Sequence, residues 1–238
     1  MKENNILSFT QSLENTKTYR HEYSMSDNLR QELLSHVYLK FVHNIIAQFH
    51  DANGDALDNF INEHNVTKEK ELTVRGLGFW TQILYNIQHD PDHTILSDFE
   101  RDNADYFNKW PILRSWLQEW RNVQPSFYYI YEPFGGNAHV AIDILTETPL
   151  EIFYPVPSFT MPQEKSIVTG ILLPFCDGLY FPLTDLYPFD MDVRDDIIRH
   201  ARPIYDQLNH EPNHLERFLL TFSSLLRLEH LIRHNHAT

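Results

Sequence analysis

The chain has 238 residues, 42% of them hydrophobic and 22% charged, with a formal net charge of −14 at pH 7. That balance excludes an extended disordered chain and is long enough to bury a large core. Its acidic field disfavours nucleic-acid backbones and anionic membrane surfaces, and no Lys/Arg cluster longer than two residues offsets it.

Residues 1–25 are polar and aperiodic and predict a flexible arm. Residues 26–124 read as helical. Ser26 or Asp27 opens a helix whose stripe runs Leu29, Leu33, Leu34, Val37, Phe41, Val42, Ile45 and Phe49. Asn53-Gly54 stops it. Further helices are predicted over 56–63, over 70–89, from a Ser97 cap, and from Pro111, where Trp116 and Trp120 share a face.

The period then changes from 3.6 to 2 over 125–189. Phe127, Tyr129 and Tyr131 alternate with Tyr128 and Ile130, and Gly135-Gly136-Asn137 forms a turn. In the next strand Val140, Ile142 and Ile144 are read as inward, with Ala141 and Asp143 outward. A turn at Thr146-Glu147-Thr148 leads into a strand from Leu150. The strand from Ile167 carries Gly170, read as a bulge or bend, and Asp177-Gly178 turns the chain into a last strand. Five short strands joined by tight turns predict a small SH3-like antiparallel β-barrel or curled sheet. Residues 190–238 return to helical spacing, with a kink or split expected at Pro203. The expected class is α+β, with a helical region, a small barrel and C-terminal helices packed as one globular unit.

The strings Pro125-Ser126-Phe127-Tyr128, Asp143-Ile144-Leu145-Thr146, Gly170-Ile171-Leu172-Leu173-Pro174-Phe175 and Asp177-Gly178-Leu179-Tyr180-Phe181 occur in an informative order. It resembles the small β-domain of uncharacterised bacterial proteins that often carry a SEC-C zinc motif. The chain departs from that pattern at Glu147, where a turn glycine is expected, and at Ile171, where an arginine is expected. The SEC-C cysteines are absent, so the resemblance transfers no zinc site. It implies a bacterial cytoplasmic protein and names no reaction.

Several motifs are weaker than their letters. His210-Glu211-Pro212-Asn213-His214 spells H-E-x-x-H, but Pro212 keeps both histidines off one helix face. Asp51, Asn53, Asp55 and Asp58 imitate a calcium loop without its glycine or its closing glutamate. His230 and His234 stand one helical turn apart at a polar end. Cys176, the single cysteine, permits no internal disulfide and reads as a buried apolar residue. Met1–Thr10 has no apolar core of signal-peptide length, and no apolar run reaches the roughly 20 residues of a membrane helix. These features predict a soluble cytoplasmic protein with no metal and no cofactor.

Without an intact catalytic motif, the expected function is a non-enzymatic interaction or regulatory module that binds a protein or peptide. Tyr129, Tyr131, Phe134, Gly135 and Gly136 are its contact residues, with the Trp116/Trp120 helix covering the rest of their strand. The alternative is an enzyme of unrecognised type with Asp143, Glu147, Asp177 and Asp185 lining a site between helices and barrel.

Overall fold

The computed structural model describes residues 10–11, 17–49, 54–89, 94–155 and 159–236. Strands β1 (Thr10–Gln11) and β2 (Ser24–Met25) precede helices α1 (Asp27–Glu32) and α2 (Leu39–Phe49), which flank a π-helical stretch, Leu33–Tyr38. Helices α3 (Gly54–Glu63), α4 (Glu71–His89), α5 (Thr94–Asp102), α6 (Ala104–Lys109) and α7 (Pro111–Gln118) follow. Then come strands β3 (Pro125–Pro133), β4 (Ala138–Asp143), β5 (Pro149–Phe153), β6 (Ile167–Pro174), β7 (Leu179–Pro182) and β8 (Tyr187–Pro188). Helices α8 (Arg194–Gln207) and α9 (His214–His236) end the described chain. The protein is therefore α+β, with N-terminal helices, a small β-barrel and C-terminal helices.

Two compact units cut across the linear segments 26–124, 125–189 and 190–238. One draws on 1–52, 87–122 and 174–179, the other on 53–86, 123–173 and 180–238.

The first unit is built on aromatic packing. Phe41 meets Phe99 at 4.9 Å and Trp120 at 4.8 Å between ring centroids, and Trp116 and Trp120 are fully buried. The Trp116 indole N–H donates to the Pro174 carbonyl at 2.7 Å. Residues 17–25, read from sequence as arm, are strapped to the turn at 174–179. The Asp177 and Gly178 amides donate to the Tyr23 and His21 carbonyls, and buried Tyr19 donates its hydroxyl to the Phe175 carbonyl. Backbone pairing, invisible in side-chain polarity, holds this polar stretch in place. Helix α5 starts at Thr94, so Ser97 lies inside it and does not cap it.

In the second unit the strands close as β3-β4-β5-β7-β6, with β6 returning to β3 and β8 added outside β6. Strands β3, β4 and β5 form an antiparallel meander, and β6 returns to lie antiparallel beside β3. That is a Greek key, in which a long connection carries the fourth strand back beside the first. Strand β7 fills the gap and removes the open edges of a five-stranded sheet. Tyr128, Ile130, Ala141, Ile152, Tyr154, Val168, Leu172 and Leu186 fill the interior.

Three local expectations are corrected. Ala141, opposite Ile130, is the inward residue of β4, whereas Val140 and Ile142 are half-buried on the other face. Gly170 sits in an unbroken register, Ser126 opposite Gly170 and Phe127 opposite Thr169, so it is no bulge. Its role is close packing, because a Cβ there would overlap the Leu186 side chain. Helix α8 is continuous through Pro203, so the proline does not split it.

The β4–β5 turn carries a local cost. Asp143 Oδ1 accepts the Leu145 and Thr146 amides at 2.8 and 3.1 Å, and Glu147 is held at φ +58°. A non-glycine residue there costs about 1–2 kcal/mol. The exposed Glu147–Arg202 pair returns little of that. Glu147→Gly is therefore expected to stabilise the fold by about 0.5–1 kcal/mol after the extra unfolded-state entropy of glycine, read as a higher urea midpoint.

Candidate functional site

The β3–β4 hairpin projects beyond the closed part of the barrel. Strand β3 pairs with β6 as far as Tyr129 opposite Ile167, Ile130 still exchanges backbone hydrogen bonds with Lys165 and Ser166, and from Glu132 onward its ladder runs to β4. The β3–β4 register shifts between Ile130 and Glu132, so Tyr131 is the extra residue of a bulge. A bulge re-aims its side chain, and Tyr131 is 51% exposed. Phe134, at the turn, is 53% exposed, and Gly135 takes φ +67° to reverse the chain. Gly135 and Gly136 are exposed and Tyr129 is half-buried. The structure thus brings Tyr131, Phe134, Gly135 and Gly136 together at one tip and leaves Tyr129 at its base. The cover over the outer face of β3 comes from α9: Phe127, fully buried, lies 5.2 Å from Phe218 and 6.4 Å from Phe189.

Beneath the tip, His139 pairs opposite Pro133 and meets Tyr154 edge-on at 5.7 Å. Burial lowers the His139 pKa, and Glu164 opposes the shift. A histidine depressed in the folded state contributes stability above its unfolded pKa, lost as pH falls and the unfolded chain takes the proton. The melting temperature is expected to drop between pH 7.5 and 5.5, and His139→Phe should shrink that drop.

The four carboxylates of the enzyme reading each serve their own surroundings. Asp143 caps its turn, Glu147 pairs with Arg202, and Asp185 accepts the Thr160 amide at 2.9 Å. Asp177, at φ +57° beside Gly178 at φ +76°, forms a hairpin turn and binds Arg30 at 2.7 Å. Cys176 is buried, and burial pushes its thiol up to about 12, so almost no thiolate exists at neutral pH.

Among the described residues no group of three His, Cys, Asp or Glu is placed to hold a metal ion. Helix α9 begins at His214 with His210 in the preceding loop, which splits the H-E-x-x-H letters. Asp51 and Asn53 lie outside the described residues, while Asp55 and Asp58 sit on α3, and Asp58 pairs with Arg75. His234 turns its Nδ1 to the His230 carbonyl at 3.0 Å. No helix among the described residues is long and apolar enough to cross a membrane.

Two features of the second unit escaped the sequence reading. The first is a cavity of about 390 Å³ lined by α3, α4 and α9, including Leu57, Phe60, Leu77, Leu220 and Phe222. His64, 4% exposed, stacks on Phe60 at 4.2 Å and contributes to its wall. Its Nδ1 lies 2.8 Å from the Phe60 carbonyl and its Nε2 2.7 Å from Ser223 Oγ. The carbonyl only accepts, so Nδ1 carries the proton and, in the neutral ring, Nε2 accepts the Ser223 hydroxyl. Ser223 lies inside α9, whose backbone amides at that position are committed to the helix.

The second feature is a charge network. Lys70 Nζ reaches Asp190 at 2.6 Å and Glu229 at 2.8 Å, the Asp190 amide donates to Glu229 at 2.7 Å, and Tyr187 donates its hydroxyl to Glu229 at 2.6 Å. Arg233 closes on Asp190. Periodicity marks faces and carries no record of which polar groups meet across helices, so neither feature had a signal in sequence.

Comparison with protein-family models, with curated proteins and with solved structures found no match to this chain.

Proposed function

We propose that this is a non-enzymatic binding protein whose β3–β4 tip contacts a partner protein or peptide. The observation that carries the reading is the pair of large aromatic side chains, Tyr131 and Phe134, about half exposed on a bulged, projecting hairpin. Exposed aromatics on a well-held backbone lose little entropy on contact, which is why such residues serve as anchors. Pro133 lacks an amide hydrogen, so the partner is recognised by side chains rather than by strand addition. The net charge of −14 favours a partner with a basic surface.

The enzyme reading has less support, because its carboxylates are committed to turns and ion pairs. The proposal also takes the protein to be bacterial and cytoplasmic, in line with the SEC-C-associated resemblance. Glu147 holds the left-handed conformation where that pattern places glycine.

Tyr131→Ala and Phe134→Ala are each expected to weaken capture of the partner about tenfold or more, the scale of an interface anchor. Both side chains are half in water, so the melting temperature should hardly move. Capture unchanged in the double variant, or loss that accompanies unfolding, would overturn the reading.

A further inference from the structure

We infer that the cavity between α3, α4 and α9 is a binding site for a small, uncharged apolar molecule carrying one hydroxyl group. Its volume, about 390 Å³, lies at the lower end of the range for small-molecule pockets, and its walls are mainly Leu57, Phe60, Leu77, Leu220 and Phe222. Gly78 sets its width. A Cβ at that position would overlap the Leu57 side chain, so the glycine allows α3 and α4 to approach without driving Leu57 into the space.

The polar groups specify the head of the ligand. Ser223 Oγ spends its proton on His64 Nε2, which leaves lone pairs to accept from a donor. His64 Nδ1 is occupied by the Phe60 carbonyl and has nothing left to give. The charge in the wall is Glu63, whose carboxylate is held by Arg227 at 2.5 Å, and Gln82 supplies a carboxamide. Among the described residues the lining carries no lysine or arginine, so an anionic head would lose its water without a cation beside it, whereas a hydroxyl donates to Ser223. A volume of this size takes one small molecule, and the hydroxyl of Ser223 in its wall gives that molecule a polar group to bind.

The full chain would be titrated with N-phenyl-1-naphthylamine, followed by fluorescence, and the dye displaced by octanol or by octanoate. Saturable displacement by octanol is expected, with octanoate about tenfold weaker or worse. Ser223→Ala should cost octanol about fivefold, the worth of one neutral hydrogen bond. Ala56 and Gln82 stand at exposed positions on the rim, so Ala56→Trp and Gln82→Trp should plug the site while keeping the wild-type melting temperature. Either folded plug variant suffices for the test. Absence of saturable displacement, equal affinity for octanoate, or displacement that survives a folded plug would overturn the inference. So would a dimer seen by sedimentation that Ala56→Trp dissolves, because a second copy would then be the occupant.

Discussion

Glu229→Ala is expected to cost about 3–5 kcal/mol of stability, enough to unfold a domain of ordinary stability at moderate temperature. The Glu229 side chain is 4% exposed and accepts from Lys70, the Asp190 amide and the Tyr187 hydroxyl. Removing it strands two neutral donors in the interior and leaves two cations, Lys70 and Arg233, sharing Asp190 alone. The cost comes from those abandoned partners rather than from the pair energies themselves. Glu229→Gln keeps the shape and one acceptor oxygen, so an intermediate loss is expected. Urea denaturation of the three proteins checks the order, and a loss under about 1 kcal/mol for Glu229→Ala would show that water already serves these groups.

The same network sets an acid limit. Burial raises the Asp190 pKa, but hydrogen bonds from Lys70 and Arg233 outweigh it and hold the carboxyl below its usual range. A carboxylate depressed in the folded state contributes stability above its unfolded pKa, and this is lost as pH falls through the folded value. The Asp190 share should therefore vanish only in strong acid, well below the window in which His139 acts.

Phe127→Ala is the second large effect, expected at about 3–5 kcal/mol, the range for removing a buried aromatic ring. Phe127 is fully buried, with Phe189 and Phe218 against its ring, and α9 has no other aromatic to move into the space without breaking the Phe218–Phe222 stack. Calorimetry should show a large fall in melting temperature for this variant and almost none for Tyr131→Ala, four residues along the same strand. Equal effects would mean that the tip is part of the core.

The contrast between these two residues marks what the sequence could and could not reveal. Alternation separated Tyr128 and Ile130 from Phe127, Tyr129 and Tyr131 without saying which set faces the barrel interior, and turn chemistry placed Asp177-Gly178 and the glycines of the tip. The face of β4 was misread because Val140, Ile142 and Ile144 are more apolar than Ala141. A strand covered on both sides no longer shows hydrophobic alternation. Tyr131 alternates with its neighbours on paper, but the bulge that turns it outward is a property of pairing, which one strand's sequence does not contain. Strand order was also out of reach, because β6 pairs with β3 from more than thirty residues away in sequence. The His64–Ser223 pair and the Lys70–Asp190–Glu229–Arg233 network depend on tertiary contacts between segments far apart in the chain.

The most direct test of the central proposal places a photo-reactive benzoylphenylalanine at position 134 and, as a control, at position 72. Leu72 is 79% exposed on α4 and is not part of the β3–β4 hairpin. After irradiation in a lysate of the native organism, position 134 should give one discrete heterologous adduct that position 72 does not. The adduct should disappear in the Tyr131→Ala background, and the protein identified in it should then bind the purified chain in a saturable manner. No adduct from position 134, or the same products from both positions, would contradict a partner site at the β3–β4 tip.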